Sequence, residues 1–214
     1  MLSLASCGTA PIVFDHANLA SVRRMDVLTP GFPEQPTVAV LPPTNGALFL
    51  LVNAVQEGNR SREFAKSLVH AKSDPEAAFS KALVACLRDA GVQPSALPAD
   101  VRRTSLLKQY GSVGAQGADA VLDVVVTRYG YYAVTNAAPF KPDIVMQARL
   151  VDIRSHRVLM QDTINMVNVI SADPTVTAAS FQDYSDIAAN SDGAARTLQS
   201  AMGSAASAVC KRLT

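Results

Sequence analysis

The run GADAVLDVVVTRYGYY, residues 117–132, restricts the fold more than any other part of the chain. Ala120, Leu122, Val124 and Val126 fall on one side of an extended backbone, and Asp123, Val125, Thr127 and Tyr129 on the other. This period of two predicts a strand over Ala118 to Tyr129. A second run, IVMQARLVDI, places Ile144, Met146, Ala148 and Leu150 on one face and Gln147 and Arg149 on the other. After the turn Arg154-Ser155-His156-Arg157, the run VLMQDTINMVNV repeats the alternation with Val158, Met160, Ile164 and Met166. Two such strands joined by a short polar turn form a hairpin with one apolar face, and that face needs cover.

The cover is expected from helices on either side of this stretch. Asp74 can cap, Pro75 suits a first helical turn, and Glu76 places a carboxylate near the positive helix end. Phe79, Ala82, Leu83, Cys86, Leu87 and Ala90 recur at three and four residues before Gly91, which predicts a helix over Pro75 to Ala90. A second stripe of Ala194, Leu198, Ala201, Met202, Ala205, Val209 and Leu213 predicts a helix from about Gly193, with Lys211 and Arg212 at its negative end. Thr37 to Leu41 reads as a short strand stopped by Pro42-Pro43. Val92 starts another, residues 101–111 read as a brief helix or a turn region, and residues 171–192 have no period and read as a linker. The fold class expected is α/β in the α+β sense: a single mixed sheet of about five strands with two main helices on one face. Its domain spans residues 37–214. Residues 1–36 are read as a lipoprotein signal followed by a tether, because Pro30, Pro33 and Pro36 forbid a helix there.

Lys+Arg 19 against Asp+Glu 18 leaves no basic surface of the kind nucleic acid requires. A chain of 214 residues that is 49% hydrophobic is sufficient for one well-filled domain. No segment approaches the roughly 18 uncharged apolar residues of a membrane span, so the expected partners are proteins or a lipid surface. Ala47 to Val55, which includes Phe49 and Leu50, is too apolar for water. Its length fits a buried strand, a short helix or a surface that meets a partner. Tyr129, Tyr131 and Tyr132 precede a loop, Thr135 to Pro142, that holds two prolines. Two of the three share a face, and such rings suit either a protein contact or cover for the sheet edge.

Leu4-Ala5-Ser6-Cys7 resembles the bacterial lipobox, in which an aliphatic residue and two small residues precede a lipid-modified cysteine. The resemblance implies a diacylglyceryl group on Cys7. Five residues separate Met1 from Cys7, so the expectation is a start inside a longer signal peptide. Gly8, where an Asp would retain the product in the inner membrane, resembles the outer-membrane class. Further along, Gly117-Ala118-Asp119 before the central strand and Leu150-Val151-Asp152 with Val158-Leu159 in the hairpin follow a strand VAVLPP and a helix. This order resembles the small domain shared by the CsgG-type curli-secretion lipoproteins, the polysaccharide-export lipoprotein PelC and the N-terminal domain of TolB. It departs from their pattern at the hairpin turn, where the usual glycine is replaced within Ser155-His156-Arg157. If Cys7 carries lipid, Cys86 and Cys210 become an even pair in an oxidising periplasm, where they can be bridged. Otherwise Cys86 is a small core residue.

The sequence shows no converging chemistry. His16, His70 and His156 are scattered, and no Cys or Glu cluster accompanies them, so neither a metal nor another cofactor is expected. The glycines of SVGAQGAD precede a strand and no Lys-Ser/Thr follows, which excludes a phosphate loop. Asp119 reads as a turn cap, and Asp152 and Asp162 as hairpin carboxylates offset by Arg149, Arg154 and Arg157. The functional expectation is a non-catalytic lipoprotein of the outer membrane, facing the periplasm. It would act as a structural or accessory subunit of a transport, secretion or surface-assembly complex, with other envelope proteins or copies of itself as partners. The alternatives are a periplasmic small-ligand-binding domain and a hydrolase using Asp119, Asp123 or His156.

Overall fold

The structure is a computed structural model that describes residues 11–15, 22–40, 47–110, 117–135, 137–166 and 180–213. Its centre is one six-stranded mixed sheet. The strands are β1 (Arg24–Leu28), β2 (Thr37–Val40), β3 (Gln93–Leu97), β4 (Ala120–Ala133), β5 (Lys141–Asp152) and β6 (Val158–Asn165). The described residues also form four helices: α1 (Ala47–His70), α2 (Pro75–Asp89), α3 (Tyr184–Ala189) and α4 (Ser191–Cys210).

β4 is the axis. Its one edge pairs antiparallel with β5, which pairs in turn with β6. Its other edge is shared by β1 and β2, both parallel to it: β1 lies along Ala120 to Leu122 and β2 along Gly130 to Ala133. Gly31 bridges the gap, donating its N–H to the Val124 carbonyl at 2.9 Å and accepting from Val126 N–H at 2.8 Å. The chain from Arg24 to Val40 is thus one interrupted strand running beside β4. β3 extends the sheet beyond β1.

This corrects the tether part of the reading of residues 1–36, not the signal part. Pro30, Pro33 and Pro36 do forbid a helix, but they fall in the interruption between β1 and β2, where a missing N–H costs the ladder little. Phe14, Val22, Met25, Val27 and Phe32 lie in the hydrophobic core, and Ile12 pairs with Gln161 on the edge of β6. The domain therefore takes in much of the segment before Thr37. Residues 1–10 lie outside the described residues.

The core lies between the sheet and the helices. Ala120, Leu122, Val124 and Val126 of β4 join Ile144, Met146, Ala148 and Leu150 of β5 in a single cluster with Phe79, Leu83 and Leu87 of α2 and Leu198, Met202 and Val209 of α4. Asp74 caps α2, its Oδ1 accepting from Ala77 N–H at 2.9 Å, with Pro75 in the first turn as its fixed φ favours. Ala194, Ala195, Ala201, Ala205 and Ala206 are all buried and keep α4 narrow, so that α2 and the sheet can both approach it closely. Gln199 of α4 accepts from Ser73 Oγ at 2.8 Å and Asp74 N–H at 3.1 Å, at the start of α2. At the far ends of the same helices Cys86 and Cys210 are joined by a disulfide, with Cα atoms 6.2 Å apart. The two ties are separated by a similar length of helix on each side, which sets α2 and α4 side by side in the same direction.

Ala47 to Val55 forms the first turns of α1, which continues to His70. The expected linker also contains structure: beyond residues 171–179, which lie outside the described residues, it holds α3 and the start of α4.

Candidate functional site on the outer face of the sheet

The sheet face away from the helices carries polar groups in a row. Register places Asp123 of β4 opposite Arg149 of β5, and Arg149 opposite Gln161 of β6. Residues 103–110 lie over this row without helix or strand, which selects the turn alternative for this stretch, and they are tied to Asp123. The Asp123 carboxylate, which has no exposed surface, accepts from Arg103 Nη1 at 2.7 Å through Oδ1. Its Oδ2 accepts from Leu107 N–H and Tyr110 O–H, both at 2.8 Å. Arg103 also donates to the carbonyls of Thr29 at 3.0 Å and Asp100 at 3.2 Å. Gly31 is required here because a Cβ would stand 2.6 Å from the Arg103 carbonyl oxygen.

Arg149 is held differently. Its Nε donates to Gln161 Oε1 at 2.8 Å and its Nη1 to the Leu107 carbonyl at 3.1 Å, with the guanidinium carbon 6.0 Å from the Tyr110 ring centre. Burial, followed by the nearby Asp123 charge, pushes the Tyr110 phenol well above its usual range. Two hollows flank Arg149. The larger, 360 Å³, is lined by Lys108, Gln109, Tyr110, Arg149, Val151, His156 and Val158. The smaller, 200 Å³, is lined chiefly by Gln147, Gln161, Asp162 and Thr163 beyond the arginine.

The carboxylates and histidine singled out from sequence do not converge. Asp119 Oδ2 accepts from the N–H groups of Arg23 and Arg24 at 3.0 and 2.9 Å, which anchors the start of β1. Asp152 accepts from Ser155 N–H at 2.7 Å and Ser155 Oγ at 2.9 Å, and these bonds hold its carboxyl below the usual range. Asp162 pairs at 3.1 Å with Arg212, just past the end of α4, and not with the hairpin arginines. His156 is exposed in the turn with φ 55°. Among the described residues no group of three or more His, Cys, Asp or Glu could hold a metal ion.

The tyrosines also require a correction. A bulge between Val126 and Arg128 shifts the alternation of β4 by one residue, so Tyr129 and Tyr131 turn to the core face and not to the Asp123 face. Both are buried, at 3% and 0% exposure, so neither ring presents a surface to a partner. Tyr131 stacks edge-on against Phe64 and Phe181 and donates to the Ala194 carbonyl at 2.9 Å; Tyr129 donates to Glu76 Oε1 at 3.3 Å. Tyr132 is half-buried under the Arg128 guanidinium, 4.8 Å above its ring. Arg128 pairs at 2.6 Å with Asp143, whose carboxyl is pushed up by burial. Phe49 and Leu50 fall in α1, with side chains outside the described residues, and Cys7 also lies outside them. Arg103, Lys108 and Tyr110 give no signal in the sequence as site residues, because the groups they meet lie on other elements. Arg149 is visible there only as the polar position of an apolar strand.

No protein-family model and no curated protein matches this sequence. Among solved structures the chain is similar to protein XCC0632 from Xanthomonas campestris, of the family DUF330, with 12% identity and a TM-score of 0.42 over 87% of this chain and 81% of that one. It is also similar to the lipoprotein GNA1162 from Neisseria meningitidis, with 19% identity and a TM-score of 0.29 over 67% and 81% of the two chains. A third is the PelC dodecamer from Paraburkholderia phytofirmans, with 13% identity and a TM-score of 0.34 over 90% and 94%. With every TM-score below 0.5, these likenesses assign neither an activity nor a partner to this chain.

Proposed function

We propose that the protein is a lipid-anchored component of a bacterial envelope, serving as a structural or accessory subunit of a transport, secretion or surface-assembly complex. The observation that carries this reading is the Cys86–Cys210 disulfide between α2 and α4. Disulfides persist in oxidising compartments and are rare in the cytosol of mesophiles. The lipobox-like Leu4 to Cys7 adds a second, independent feature that belongs to the same compartment. Among the described residues no helix is long and apolar enough to cross a membrane; a lipid on Cys7 would supply the attachment. Ile12 is fixed on β6, and only four residues separate it from Cys7. That length of chain reaches roughly 17 Å at most, so the sheet would sit near the bilayer.

The test is to express the natural reading frame in a Gram-negative host, fractionate the envelope, and measure the intact mass of the product. The expected result is a diacylglyceryl mass increment that Cys7→Ala abolishes, with the protein in the outer-membrane fraction and envelope proteins or further copies co-purifying in mild detergent. An unmodified cytoplasmic product with Cys86 and Cys210 reduced would overturn the reading.

A further inference from the structure

The larger hollow on the outer face has an uneven charge. Lys108, Arg149 and His156 line it, and among the described residues no carboxylate does. Among the described residues none of these three takes part in an ion pair. The partners that orient Arg149 are a side-chain amide and a backbone carbonyl, which fix the guanidinium without neutralising it. Asp123, the nearest carboxylate by strand register, is already occupied by Arg103, Leu107 and Tyr110. Lys108 and Arg149, two cationic side chains gathered in one concavity, repel one another, and the arrangement is relieved by an anion. The rest of the lining is largely apolar or aromatic: Val151, Val158 and the Tyr110 ring.

We propose that this hollow binds a small organic anion, a carboxylate or phosphate monoester carrying an apolar group. Arg149 and Lys108 take the charge, and Tyr110, Val151 and Val158 hold the apolar part. The volume of 360 Å³ lies within the range of roughly 300–1,000 Å³ typical of small-molecule sites. Arg149 suits the anionic group because its guanidinium, held in place by neutral partners, keeps its full charge and further N–H donors. His156, which lines the hollow from a left-handed turn, adds a third donor.

The experiment is a titration of the purified protein with phenyl phosphate, benzoate, inorganic phosphate and phenol, monitored by calorimetry and by backbone amide NMR. Phenyl phosphate or benzoate is expected to saturate one site and to shift the amides of residues 108–110 and 156–158. Inorganic phosphate and phenol, each carrying half the recognition, should bind more weakly by about tenfold or more. Arg149→Gln is expected to lower affinity by about tenfold. The Lys108→Gln/His156→Gln double variant alters only exposed side chains, and should do the same without disturbing the fold. Absence of saturable binding at millimolar concentrations would overturn the proposal. So would shifts confined to other surfaces, or an affinity unchanged in the double variant.

Discussion

On one face of the sheet Leu122, Ile144, Met146 and Leu150 meet residues of α2 and α4 in a continuous apolar cluster, closed by a disulfide. On the other face Asp123 is buried just as completely, but beneath a segment without helix or strand that a few polar bonds hold down. The core face distributes its stability over many side chains, so any one can be trimmed at a local cost. The outer face places an ion pair and two further bonds on one carboxylate, so losing that group removes all three together. The first arrangement suits a scaffold. The second suits a surface that can open locally while the sheet beneath stays folded.

The largest effect should come from the disulfide. Replacing Cys86 and Cys210 together by Ala opens a link across 124 residues, and is expected to cost about 4 kcal/mol in denaturant unfolding. The loss should match that of the wild type in reductant. A change below about 1 kcal/mol would mean that the packing of α2 on α4 suffices alone, and that the core face is distributed even without its cross-link. The outer face comes next. Asp123→Ala strands Arg103 and frees Leu107 N–H and Tyr110 O–H, at an expected cost of about 3 kcal/mol. Amide exchange should rise in residues 103–110 while the amides of α2 and α4 keep their relative protection. A uniform loss of protection across the molecule would erase the distinction between the faces. The paired change Asp123→Leu/Arg103→Met should recover part of the stability, because it removes both buried charges.

The core face is largely legible in the sequence, and the outer face is not. The helices from Pro75 and from about Gly193 follow from stripes and caps confined to each segment, and β4 to β6 from alternation within each run. β1 gives little signal because Arg24 to Leu28 is short and is followed by three prolines, which interrupt the ladder without leaving the sheet. Alternation alone puts Tyr129 on the wrong face because one bulge residue inverts every later position of a strand, and nothing in Val126-Thr127-Arg128 marks it. The polar row is non-local: Arg103, Tyr110 and Arg149 reach it from the covering segment and a different strand. Period and composition along one segment cannot report such a meeting.

His156 offers the smallest and most discriminating test of the contrast between the faces, because it belongs to the hairpin yet lines the hollow. Its φ of 55° is a conformation that costs a residue with a side chain about 1 kcal/mol or more, and glycine little. His156→Gly should therefore raise stability by about 0.5 kcal/mol, the relief of the turn being partly offset by the greater freedom of glycine in the unfolded chain. The same change removes a donor from the rim of the hollow and should weaken phenyl phosphate binding. Opposite signs for stability and affinity are what a turn residue retained for its side chain would give. If the glycine variant is both more stable and equally able to bind, the strained turn contributes nothing to the outer face, and Arg149 and Lys108 carry the anion by themselves.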